Sequence, residues 1–286
     1  MNSIGKYYGY LLRKNLISWR MLAVAVFTIL TMDAFLASVR IYSRDMGVQM
    51  TQWGFALIWD NKYVGLCFML IYIFAVAPFP ENRIQARFII ARMGISNWVW
   101  GQVLYIFTFG WLYTIFLYVI QNLLLWNVLS FSGEWGKGWA NLINYEIQVY
   151  YDIYVSVPYL VISNYDPVKA NLLVAVIMGL LLGLLGMLIF WLNFYSRVAG
   201  PAAASVLVFM SLAATRINSL NRFSPVSWIR LDSHYRLTSS NQPTEGYIIG
   251  MLVLWVLLLP LLAKLRANHT QENNRRSRRW KHIRWK

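Results

Sequence analysis

The chain has 286 residues, 58% hydrophobic and only 13% charged, against about half and about a quarter in a soluble globular protein. That balance excludes an ordinary water-soluble domain and points to lipid as the solvent. A net charge of +15 would suggest nucleic acid in a soluble protein, but nine of the 26 Lys and Arg lie beyond Pro260, after an apolar run, where an anionic membrane surface is the simpler partner.

The first twenty residues place Ile4, Tyr8, Leu11, Leu12 and Trp19 at near-helical spacing, with Lys6, Arg13 and Arg20 seven apart on another face. This predicts an interfacial helix along the inner leaflet. It leads into a retained first span, since no small-x-small cleavage pattern closes the run that follows. A spanning helix needs about 20 mostly apolar residues. Six stretches meet or approach this: 21–39, 63–79, 98–126, 172–193, 201–215 and 247–265. The third is long enough to tilt or project. The fifth is short, which also suits a broken or re-entrant element.

With the amino terminus inside, inside segments hold 17 Lys and Arg and outside segments nine. The positive-inside rule then places both termini in the cytoplasm. The division is one all-α, polytopic membrane domain over 1–266 and a basic cytoplasmic tail over 267–286. That tail is expected to adsorb to anionic lipid.

Soluble-type chemistry is absent. No phosphate loop, H-E-x-x-H or G-x-S-x-G motif occurs. His234, His269 and His282 are scattered, and the single cysteine, Cys67, can form neither an intramolecular disulfide nor a cysteine-based zinc site. No catalytic residue, cofactor or metal is expected, nor nucleic acid binding. Within the spans, Asp33 is the one acidic residue in apolar sequence, where a charge is costly unless paired, hydrated or protonated. It is the candidate for a transport path. Gly179, Gly183 and Gly186, and the small residues 202–205, permit close helix approach, and Gly200-Pro201 fits a turn and helix start.

The segment between the second and third predicted spans carries the most information. Arg83, Ile84, Arg87, Phe88, Ala91 and Arg92 combine helical spacing with basic and apolar positions, and Gly94 supplies a helix stop. A short amphipathic helix presented to the cytosol suits docking in a partner's groove.

With this layout and the run from Arg92 to Gln102, the chain resembles permease subunits of the type-two exporter family of ATP-binding cassette (ABC) transporters. The resemblance implies six spans, an interfacial amino-terminal helix and a cytoplasmic coupling helix. It implies that Glu81, Arg83, Arg87, Arg92 and Gly94 form the contact with a separate cytosolic ATPase subunit. It also implies a second permease subunit, identical or similar, and a bacterial cell membrane as the setting. ATP hydrolysis would then belong to the partner, and this chain would not be an enzyme. The segment 127–166 is long for such a permease and reads as an outer cap. The segment 216–245 is expected to dip toward the bilayer as short helices. The alternatives are a gradient-driven carrier using Asp33 and a non-transporting membrane anchor or sensor.

Overall fold

The computed structural model describes residues 3–80, 83–234 and 242–283. Helix α1 (Ser3–Leu16) turns at Ser18, whose hydroxyl accepts from the Met21 amide and caps α2 (Trp19–Asp45). A two-residue strand β1 (Met50–Thr51) leads to α3 (Phe55–Ile58) and then α4 (Lys62–Val76). Next come α5 (Arg83–Met93) and α6 (Ile95–Leu124), strand β2 (Leu129–Ser130), and the short helices α7 (Gly136–Asn141), α8 (Tyr145–Tyr150) and α9 (Tyr159–Asn164). The chain closes with α10 (Pro167–Leu192), α11 (Ala199–Ala214), α12 (Asn218–Asn221) and α13 (Glu245–Ile283).

Among the described residues, α2, α6, α10 and the first 25 residues of α13 are long and apolar enough to cross a membrane. A fifth crossing is added if Gln52–Ile58 and α4, which meet at 93°, are one broken span. The described residues are therefore predominantly helical, with four or five candidate membrane spans, as a multi-pass membrane protein requires. The expected stretches 63–79 and 201–215 correspond to the two short helices, α4 with 15 residues and α11 with 16. At about 1.5 Å per residue each is shorter than the roughly 30 Å hydrocarbon layer.

Helix directions follow from cross-helix hydrogen bonds. Thr28 and Tyr113 share a hydroxyl contact at 3.1 Å, and Arg40 donates to the Leu124 carbonyl at 3.4 Å, so α2 and α6 run the same way. Tyr113 also donates to the Phe68 carbonyl of α4 at 3.5 Å. Helix α10 is the most enclosed of the long helices, with 72% of its apolar stretch buried against 28% for α2 and for α13. It packs on α4, α6, α11 and α13. Its glycines make the close approach to α6 expected of them: a Cβ on Gly186 would lie 2.5 Å from Ile106, and one on Gly110 of α6 would lie 3.2 Å from the Gly183 amide nitrogen.

At one end of the bundle the loops form a cap. Strands β1 and β2 pair in parallel, Met50 with Leu129 and Thr51 with Ser130. Trp139 is buried and donates to the Thr51 carbonyl at 3.0 Å, Trp135 donates to the Tyr165 carbonyl at 3.0 Å, and Asn171 accepts from the Ala56 amide at 3.1 Å. The segment 127–166 is thus a packed cap, leaving Tyr145, Tyr150 and Tyr159 exposed. Helix α1 is seated on the bundle: Tyr7 and Leu11 are buried and the helix packs on α6. Gly101 makes the seat, since a Cβ there would lie 2.5 Å from the Tyr7 ring. Helix α13 also continues beyond residue 265 to Ile283, with Pro260 inside it.

Candidate functional site

The candidate site is α5 together with its mounts at the end of the bundle opposite the cap. Ala86 is buried, and Ile89, Ile90 and Met93 pack partly buried against the core. That spacing puts one apolar stripe inward. The opposite face, with Phe88, Ala91 and Arg92, is exposed, and Phe88 is 71% accessible. Phenylalanine and arginine are both residue types enriched at protein interfaces. Of the sequence-predicted contacts, Glu81 lies outside the described residues. Arg83 and Arg87 lie on the α5 backbone, their side chains outside what is described. Arg92 is exposed in the last turn.

Gly94 closes α5, donating its amide to the Ile90 carbonyl at 2.9 Å, and opens α6 with φ +81° and ψ 155°. That region is open essentially only to glycine. The following residues of the Arg92–Gln102 run each have a structural role. Asn97 donates to the Met93 carbonyl at 2.9 Å and to the Ser3 hydroxyl at 3.3 Å. Trp98 is buried against Phe190 and Phe194, with ring centroids at 5.9 and 6.3 Å. Gln102 donates to the Tyr7 hydroxyl at 2.6 Å. The far end of α5 is thereby joined to α1, α6 and α10.

The segment leading into α5 is held by Asn193, which sequence reading took only as the end of the fourth span. Its side chain is buried and donates to the carbonyls of Ala77 at 3.0 Å and Phe79 at 2.5 Å, while Oδ1 accepts the Gly200 amide at 3.1 Å. The only sequence signal was an asparagine closing a long apolar run. Nothing in that pattern names its partners.

Asp33 is not brought to α5. Its side chain is 46% exposed and forms an ion pair with Arg40 at 2.6 Å. Thr28 shares a level with Phe68 through Tyr113, and Asp33 is five residues further toward the cap. This places the pair near the capped end of α4, where Lys62 begins that helix. The pairing satisfies the carboxylate.

A second polar cluster lies at that end, ahead of α4. Asp60 is buried in the corner between α3 and α4, and its Oδ1 accepts the Asp232 amide at 3.1 Å. Its Oδ2 has no hydrogen-bond partner among the described residues. Burial pushes the carboxyl up to about 8, the Asp232 amide and the nearby Arg230 opposing. Burial also lowers His234, whose Nε2 lies 2.9 Å from the Trp228 carbonyl. Trp228 in turn donates to the Asn221 carbonyl at 2.9 Å. The segment 216–245 thus supplies helical turns, α12 and the two 3-10 stretches Pro225–Ile229 and Leu231–His234, with α12 packed on α11 and the first 3-10 stretch on α10 and α11. Sequence reading did not single out Asp60, because an aspartate between hydrophobic runs reads as an ordinary outer-loop charge.

No protein-family model matches the chain, no curated protein matches it significantly, and no solved structure matches its fold significantly.

Proposed function

We propose that this chain is the membrane-spanning permease subunit of an ABC transporter, an exporter powered by a separate cytosolic ATPase subunit. In this reading α2, α4, α6, α10, α11 and α13 are six crossings, the α5 end and both termini are cytoplasmic, and the cap is outside. The short α4 and α11 are accommodated by local thinning of the bilayer and by interfacial side chains. A second permease subunit, identical or similar, completes the path, and the basic end of α13 faces anionic lipid. ATP hydrolysis belongs to the partner, and this chain is not the hydrolase. The transported molecule crosses by alternating access, driven through α5.

The observation that carries the reading is α5 itself. It is a separate helix between two apolar helices, buried on one face and presenting Phe88 and Arg92 on the other. Helix α1, packed on α6 just beyond it, supports the same layout.

The test is co-purification. The tagged chain, expressed with the ABC-type ATPases of its own source cell, should retain one of them, and the double variant Phe88→Asp, Arg92→Glu should lose at least tenfold of it while folding normally. Undiminished co-purification of the variant would sink the assignment of α5 as the docking helix.

A further inference from the structure

We infer that Asn193 is the positioning residue that carries movement of α5 into α10 and α11. The inference rests on the reading of α5 as the ATPase-docking helix and adds how its displacement enters the bundle. The residues 77–79 link α4 to the segment that leads into α5, and backbone carbonyls there have few side chains able to reach them. Asn193 reaches two of them at once, Ala77 and Phe79, with the two hydrogens of one amide group. The remaining atom of the same side chain accepts the amide of Gly200 in the first turn of α11. One planar group, itself the C-cap of α10, therefore ties three helices at the level where α5 is mounted.

The tie is stiff for two reasons. It is buried, so water does not compete for its hydrogen bonds, and releasing any of them leaves a polar group unpaired at a cost of about 1–3 kcal/mol. It is also tightly enclosed on the α11 side. A Cβ on Gly200 would lie 2.5 Å from the Ile189 carbonyl and 2.6 Å from Asn193 Oδ1. Helix α11 cannot slide relative to α10 there without breaking the contact. By comparison, the Asn97 tie at the other end of α5 is more exposed, and its bond to Ser3 is longer at 3.3 Å. A push on α5 that reaches residues 77–79 is thus passed to α10 and α11 through a buried three-way bond, beside the direct packing of α5 on α6 and the softer Asn97 tie to α1.

The experiment uses the permease with its co-purifying ATPase in lipid vesicles, with Cys67 replaced by Ala and a spin label on a cysteine at position 91 or at position 206, each labelled chain first shown to retain the ATPase. Val206 is exposed on α11 and Ala91 on α5. Trapping the ATPase with nucleotide and vanadate should change the spectrum at both positions in the unaltered chain. Asn193→Asp keeps the acceptor for Gly200 and loses both donors to Ala77 and Phe79. It should retain ATPase co-purification and the response at 91, while the response at 206 falls at least fivefold. A merely structural role would not separate the two labels. Gly200→Ala, which disturbs the tie from the α11 side alone, should give the same split.

If either variant folds and still responds at 206 as the unaltered chain does, the inference is overturned while the permease reading stands. If no ATPase accompanies the unaltered chain, it is the permease reading that fails. Should both variants misfold, hydrogen exchange on the unaltered complex decides. Protection at residues 77–79 and 198–202 should change together on trapping, and a change confined to 77–79 overturns the inference.

Discussion

Replacing Asp60 by Asn turns the buried corner between α3 and α4 into a measurable pH dependence. The carboxyl titrates near 3.8 when solvated and at about 8 in the fold. A folded-state value above the unfolded one means that the folded chain binds more protons between those limits. Stability therefore falls as pH rises from about 4 to about 8 and is flat above that. The slope for one group is at most about 1.4 kcal/mol per pH unit, so the interval from pH 5 to 8 sets a ceiling of about 4 kcal/mol. The opposing Asp232 amide and Arg230 are already contained in that value, and relaxation of the corner on ionisation offsets part of the ceiling. A loss of about 1–2 kcal/mol over that interval is expected. The carboxamide of Asp60→Asn preserves the acceptor for the Asp232 amide and cannot ionise. The assay is thermal unfolding of detergent-solubilised protein from pH 5 to pH 8.5, comparing the two chains. At pH 5 the two should unfold within about 2 °C of each other. By pH 8.5 the wild type should lag the variant by about 3–6 °C, at about 2–4 °C per kcal/mol. Parallel curves across the whole range would refute the argument, since they would mean that Asp60 is ionised or hydrated throughout.

Substitutions at two further positions test the packing around α5 and the helices that carry it. Gly94→Ala places a side chain at φ +81° and ψ 155°, so it should destabilise the chain by about 1–3 kcal/mol and reduce ATPase co-purification, read by thermal unfolding and pull-down together. A Cβ on Gly110 would lie 3.2 Å from both the Gly183 amide nitrogen and the Leu182 Cβ. Gly110→Ala should cost about 1 kcal/mol and Gly110→Leu about 3 kcal/mol or more, because there the obstacle is backbone; equal unfolding temperatures for Gly110→Leu and wild type would refute the close α6–α10 approach.

The apolar runs and their lengths foretold the long helices, since burial of a 20-residue apolar segment in lipid depends on composition more than on neighbours. The helix over α5 and its stop at Gly94 were also legible, from spacing and from one glycine. Neighbour-dependent features were not. The second stretch, expected over 63–79, closes at Val76, and the seven residues Gln52–Ile58 before it turn across its end. Asn171 takes the Ala56 amide there and donates to the Trp53 carbonyl at 2.8 Å. No local pattern announces a partner more than a hundred residues away.

The same division runs through the candidate site. Composition, the run of apolar segments and the amphipathic spacing of residues 83–93 are local properties, and hydrophobic transfer and backbone hydrogen bonding act on them without reference to the rest of the chain. They determine a multi-pass helical protein with a short helix left outside its spans. Which residues hold that helix is decided only when α1, α6, α10 and α11 come together. Asn193 meets Ala77, Phe79 and Gly200, and Gln102 meets Tyr7, by long-range hydrogen bonds whose geometry exists only in the packed state. An amide side chain has the same composition wherever it stands, and it acquires a role from the carbonyls that the fold brings within about 3 Å of it.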